Sequence, residues 1–170
     1  MKGLLENRLH DIGDIEPART AILAIHWQKN IVETGLFGSM FAPVVHAAGV
    51  VPHTARVLAE ARRHGAFVVY VNIGFRPGHA GMPRNNALFN SALRSGEQIL
   101  GTPGLGVIDE LAPHPQDVLV DHGFISAFFG CDLLNVLLMR GIDTIAFTGV
   151  ATNVAVDHSV RDAAQFGFRT

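Results

Sequence analysis

Three histidines and one turn carry the residue types that could do chemistry in this chain. His26 and His122 each stand beyond a short apolar, β-branched run, residues 20–25 (TAILAI) and 117–121 (DVLVD). Imidazole changes charge near neutral pH, so two of them at neighbouring strand ends could act as acid and base on a bound water or protonate an enol ether. The turn is TGVATNVA, residues 148–155, where the apolar run 143–147 (DTIAF) ends. Gly149 marks it, and Thr152 and Asn153 are good helix-capping types. A strand-to-helix turn of this kind points backbone N–H groups into a crevice. Its best-placed side chain, Ala155, has no reactive group. His158 follows Ala155 by three residues, on the same helical face one turn on. Three imidazoles from separate elements would suit zinc, iron or copper. No H-x-H or H-E-x-x-H spacing supports that reading, and no metal is assigned.

The elements that must position these residues are legible as alternating apolar runs and helical stretches. Residues 20–25, 66–73 (AFVVYVNI), 117–121 and 143–147 read as strands buried on both faces. Between the first two, residues 51–64 read as a helix, with Pro52 near its start and Gly65 past its end. Residues 131–140 read as another, stopped by Gly141. Strands separated by helices imply βαβ units and a parallel sheet covered on both sides. Ligands of such sheets bind beyond the carboxyl ends of the strands, near a switch in strand order. That rule selects His26 with Trp27 and Gln28, the Gly/Pro loop from residue 74 to 83, His122 with Gly123, and residues 149–155. His79 lies in that loop, near the expected mouth. His10, His46, His53, His64 and His114 carry no signal.

Bulk properties narrow the partners. At 170 residues and 48% hydrophobic, the chain fits one domain, residues 1–170, with a full core. A formal net charge of -2, with no basic run longer than Arg62-Arg63, gives no footprint for nucleic acid or an anionic membrane. No apolar stretch has the length of a membrane span, and the N-terminus lacks a secretory pattern. With the single Cys131 excluding an internal disulfide framework, a cytoplasmic location is expected. Phe166-Gly167-Phe168 begins what reads as a further strand, short or cut off at Thr170.

The segments 21–32 (AILAIHWQKNIV), 51–71 and 122–163, with their Ser126-Ala127-Phe128, Gly141-Ile142, Gly149-to-Val154 and Arg161-Asp162-Ala163 motifs, resemble the isochorismatase-like cysteine hydrolases. That family includes nicotinamidases, carbamoylsarcosine amidases and isochorismatases. The resemblance implies a three-layer α/β/α sandwich with a mostly parallel, Rossmann-like sheet. It also implies a cis Val150–Ala151 bond and an oxyanion hole from the amides near Ala151 and Ala155. The family's aspartate after the first strand corresponds to His26, its lysine before Ser-Ala-Phe to His122, and its nucleophilic cysteine to Ala155. All three catalytic groups are therefore substituted. Lys29, three residues past His26, does not replace the lysine, and Cys131 reads as a small buried apolar side chain. Some isochorismatase-type members lack the cysteine and protonate a vinyl ether, but keep the aspartate.

The expected function is that of an isochorismatase-like hydrolase without the cysteine nucleophile. It would carry out cofactor-free hydrolysis or proton transfer on a small carbonyl, amide or enol-ether compound through His26 and His122. Ala151, Asn153, Trp27, Gln28 and Phe128 are the expected oxyanion and ligand-binding residues, and loop 74–103 would set specificity. Trp27, Phe128 and Phe129 equally suit a subunit contact, and the resemblance implies a homo-oligomer, dimer or tetramer. The alternative is a non-catalytic pseudoenzyme that binds a small ligand or a partner subunit. The Arg161-Asp162 pair is expected to be a helix-surface charge pair.

Overall fold

Every residue of the first strand, β1 (Thr20–Ile25), is buried, as its unbroken apolar run requires of a central parallel strand. Three more strands follow, β2 (Phe67–Ile73), β3 (Val118–His122) and β4 (Thr144–Gly149), all parallel and in the order β3-β2-β1-β4. The computed structural model describes residues 14–170; His10 and the N-terminal expectations lie outside the described residues. Between β1 and β2 run α1 (Lys29–Val32), α2 (Gly35–Ala47) and α3 (Val50–Arg63), and α4 (Ala87–Ser95) follows β2. Helix α5 (Leu133–Met139) joins β3 to β4, and α6 (Asp157–Gln165) follows β4.

Alternation along the strands sorts the core into two layers. Ile22, Ala24, Val68 and Tyr70 pack with Leu58 of α3 and Phe89 of α4 on one face. Ala21, Leu23, Ile25, Val69 and Val71 pack with Leu133 and Leu137 of α5 and Ala163 of α6 on the other. The result is the expected three-layer α/β/α sandwich. No single helix among the described residues is long and apolar enough to cross a membrane.

The chain winds outward from β1 to β2 to β3 and then returns to place β4 against the other side of β1. The strand order therefore switches between β1 and β4, and their carboxyl ends deliver His26 and the 149–155 turn to one crevice. At Gly149 the two strands approach so closely that a side chain there would collide with the Ile25 backbone.

The sheet's amino end is pinned by charge. Arg62, closing α3, donates two hydrogen bonds to Asp117 just before β3, at 2.7 and 3.2 Å, and a third to the Tyr70 hydroxyl at 3.0 Å. Tyr70 in turn donates to the Leu111 carbonyl at 2.6 Å.

The helix expected to open at Thr152 does so, as one wide turn over Thr152–Val156 that runs straight into α6, although neither Thr152 nor Asn153 caps it with a side chain. The strand expected at residues 166–168 is a single bridge of Arg169 to Thr144. Helices α2 and α4 fall in stretches without a legible period, α2 containing Gly35, Gly38 and Pro43, and α4 capped by the Asn86 side chain, which accepts from the Phe89 N–H at 2.9 Å.

Candidate active site

His26 begins where β1 ends, with φ at 56° and its N–H donating to the Val71 carbonyl at 2.8 Å. This bend carries its ring across the end of β2 to His122, the last residue of β3, and the two Nε2 atoms lie 2.8 Å apart. The rings are stacked with centroids 5.1 Å apart, and the residues are 5% and 2% exposed. Burial, and then the neighbouring His122, hold His26 well below the ordinary histidine range, with the Val150 backbone opposing weakly. Burial pushes His122 down to about 4, although the nearby Ser126 backbone favours the charged ring. Both rings are neutral at pH 7.

A neutral pair in this contact shares one proton between the two Nε2 atoms. His122 Nδ1 is buried without a hydrogen-bond partner.

The 149–155 turn closes the crevice. The Val150–Ala151 bond is cis, as the resemblance implied, and Val150 N–H donates to the Ile25 carbonyl at 3.1 Å. Ala155 is 3% exposed, with its methyl in the core layer of α5 and α6.

Between the turn and α2 and α4 lies a narrow, partly open cavity. His26, Val150, Ala151, Val154 and Ala155 form its sheet-end wall; Phe37, Phe41, Phe75 and Phe89 supply aromatic walls, and Gln98 the other polar side chain. None of the described residues lining it is Lys, Arg, Asp or Glu. Such an apolar pocket with a few convergent polar groups is the common form of a small-molecule site.

Of the expected site residues, His26, His122, Ala151 and Ala155 are brought together here. The others are placed elsewhere, for physical reasons. Gln28 is fully buried, but its amide is consumed in tying β1 to β2, accepting from the Ile73 N–H at 2.7 Å and donating to the Ile73 carbonyl at 3.0 Å. Trp27 is in the core beside Ile108, not on the cavity wall. Asn153 is exposed. Phe128 packs on the opposite face of the sheet, with Phe166 and Phe168.

His158 does not join the histidine pair. It is exposed, its ring bonded to the Val154 carbonyl at 2.7 Å, and no group of three or more metal-ligating side chains gathers among the described residues. His79, expected at a solvated mouth, is 5% exposed and pairs with the Glu97 carbonyl at 2.8 Å. Cys131 donates to the Ala127 carbonyl at 3.2 Å away from the cavity, its thiol pushed up by burial. Lys29 pairs at the surface with Asp109 at 2.7 Å, and Arg161 pairs with Asp157, not Asp162, at 2.9 Å.

Gln98 and the four phenylalanines were missed from the sequence. Phe37 and Phe41, one helical turn apart, were the one available signal, in a segment broken by glycine and proline.

The Isochorismatase family model, described as Isochorismatase domain, matches residues 20–170. An uncharacterized isochorismatase family protein, YwoC of Bacillus subtilis, is 30% identical over 156 residues, covering 92% of this chain and 76% of that protein. Ureidoacrylate amidohydrolase RutB of Rhizobium rhizogenes is 31% identical over 162 residues, covering 88% of this chain and 66% of its own length. Among solved structures, a cysteine hydrolase from Pseudomonas syringae pv. phaseolicola superposes with a TM-score of 0.78 at 30% identity, over 91% of this chain and 70% of that one.

Proposed function

This chain belongs to the isochorismatase family, and on that premise we propose that it is a divergent hydrolase that keeps the family's pocket and turn while lacking the covalent thiol route. In this reading His26, His122 and Ala155 stand at the positions of the family's aspartate, lysine and cysteine. An alanine methyl forms no acyl intermediate, and Cys131 lies off the cavity wall.

What carries the reading is the buried contact of 2.8 Å between His26 and His122, with His26 in the cavity wall beside the turn. His26 exchanges a proton with the bound molecule through Nδ1, the ring nitrogen that the histidine contact leaves over, and His122 gives or takes the matching proton across the paired Nε2 atoms. Backbone N–H groups near Ala151 and Ala155 stabilise negative charge developing on a carbonyl or enol oxygen, at roughly 3 kcal/mol per well-aimed donor. The reaction is cofactor-free hydrolysis or proton transfer on a small carbonyl, amide or enol-ether compound. RutB is named for ureidoacrylate; among the described residues lining the cavity here there is no cationic side chain to receive a carboxylate.

A second reading, a pseudoenzyme that binds without turnover, is favoured by the low basicity of the pair. A ring whose pKa lies near 4 is a weak base at neutral pH. Assay against small amides, ureides and enol ethers separates the two. The hydrolase reading expects turnover of one class, lost in His26→Ala and in His122→Ala. Undiminished turnover in both variants overturns their roles, and a ligand-induced rise in Tm without turnover selects the second reading.

Assembly as a dimer or tetramer belongs to the same proposal. The half-exposed rings of Phe124 and Phe129 beside residues 126–128 support it, and light scattering tests it.

A further inference from the structure

Gln98 lines the cavity, is 2% exposed, and has no hydrogen-bond partner on either its amide nitrogen or its amide oxygen. Its backbone, by contrast, is held firmly. The Phe75 N–H donates to the Gln98 carbonyl at 2.7 Å, the Leu100 N–H donates back to the Phe75 carbonyl at 2.8 Å, and the His79 ring pairs with the carbonyl of Glu97 next door. The segment is thereby fixed beside the end of β2, with Gln98 at a φ of 55°. An amide buried with both ends unpaired is costly, and a leucine or methionine would fill the same space without that cost. A filling role therefore does not account for glutamine here, whereas a polar partner arriving with a ligand does.

We infer that Gln98 is the recognition residue of this cavity, and that its ligand is an uncharged molecule with a flat apolar body and one planar edge carrying both a hydrogen-bond donor and an acceptor. Carboxamides, lactams, ureides and cyclic imides have such an edge. It satisfies the Gln98 oxygen and nitrogen together, while Phe37, Phe41, Phe75 and Phe89 take the apolar body. A carboxylate fits poorly on two counts. It would set oxygen against the Gln98 oxygen, and it would bury a charge in a wall with no cation and two neutral imidazoles behind it. A hydrocarbon would leave both amide atoms unpaired.

The inference rests on the small-molecule reading of the pocket given above, but it needs no turnover, so binding alone tests it. The probes are benzamide, benzoate and toluene, matched in shape, measured by calorimetry and thermal shift on the full chain, on Gln98→Leu and on Gln98→Met. The expected result is that benzamide binds the unaltered chain at least tenfold more tightly than benzoate. In both variants benzamide weakens at least tenfold, toluene binding is kept, and the unliganded Tm does not fall. Benzamide binding unchanged in both variants overturns the role of Gln98, as does a fall in Tm in both, which is the signature of a structural side chain. Benzoate binding as tightly as benzamide, or no benzamide binding at all, overturns the ligand class. These curves are read with both histidines in place, so the fate of the His26 and His122 turnover assay is decided separately.

Discussion

At the amino end of the sheet, buried polarity is paired: Asp117, its side chain 1% exposed, receives Arg62, and Arg62 also reaches the Tyr70 hydroxyl. At the carboxyl end it is not. Among the described residues, the buried side-chain atoms without a partner are Trp27 Nε1, Asn30 Oδ1, Asn72 Oδ1, both amide atoms of Gln98 and His122 Nδ1. Trp27, Asn30, Asn72 and His122 stand at or shortly beyond the carboxyl ends of β1, β2 and β3, and Gln98, which follows α4, is held there by the Phe75 N–H on its carbonyl. The same sheet thus has one end built to hold and one end left open to a partner, which is where stability is given up in enzymes and binding proteins.

Acid should separate the two ends most sharply. Both histidines have folded-state values below the ordinary 6.5, so above that pH neither state is protonated and nothing is lost. As the pH falls, the unfolded chain takes up protons that the folded pair refuses, and stability declines until about 4, where His122 itself titrates. His122 alone accounts for a loss on the order of 3 kcal/mol across that window, and His26 adds in the same direction. Urea denaturation from pH 7 to 4 measures it; a flat profile would show that the folded pair takes up protons as readily as the unfolded chain.

Two buried glutamines sharpen the contrast by having opposite signs. Gln28→Leu strips the Ile73 N–H and carbonyl of their partners and is expected to cost about 2 to 3 kcal/mol in chemical denaturation. Asp117→Ala, which strands the Arg62 guanidinium at the pinned end, comes next at about 2 kcal/mol, reduced by the guanidinium's partial exposure. Gln98→Leu, removing an amide that has no partner, should raise the stability of the unliganded chain by about 1 kcal/mol. The smallest effect is on activity: Ala155→Cys alone should yield no detectable amide hydrolysis, since neither a carboxylate nor a lysine adjoins it to form the thiolate. Hydrolysis by that variant would mean that the histidine pair activates a thiol unaided.

Most of the scaffold was legible because it follows from local pattern. The four apolar runs are strands within a residue or two of the expected ends, and residues 50–63 are helical as the spacing of Val57, Leu58 and Ala61 required. His26 and His122 were found because chemistry at strand ends stands out by residue type. The rest of the site was hidden by long-range causes. Gln98 is positioned by pairing between Phe75 and Ile99, an event of tertiary structure that leaves no periodicity in the Gly/Pro-rich stretch around it. Gln28 misled for the complementary reason, since a glutamine beside a candidate catalytic residue gives no sign that its amide is already spent on the neighbouring strand. His79 misled likewise, because a histidine in a Gly/Pro loop reads as solvated until the loop folds back over residue 97.

The uncharged lining of the cavity also bears on how a ligand arrives. A site ringed by lysine or aspartate draws its partner from several ångströms away and loses that pull as salt is added. Among the described residues this lining offers no such field. In the proposed reading the capture of an uncharged ligand is set by diffusion and the width of the opening, and stays level from dilute buffer to concentrated salt.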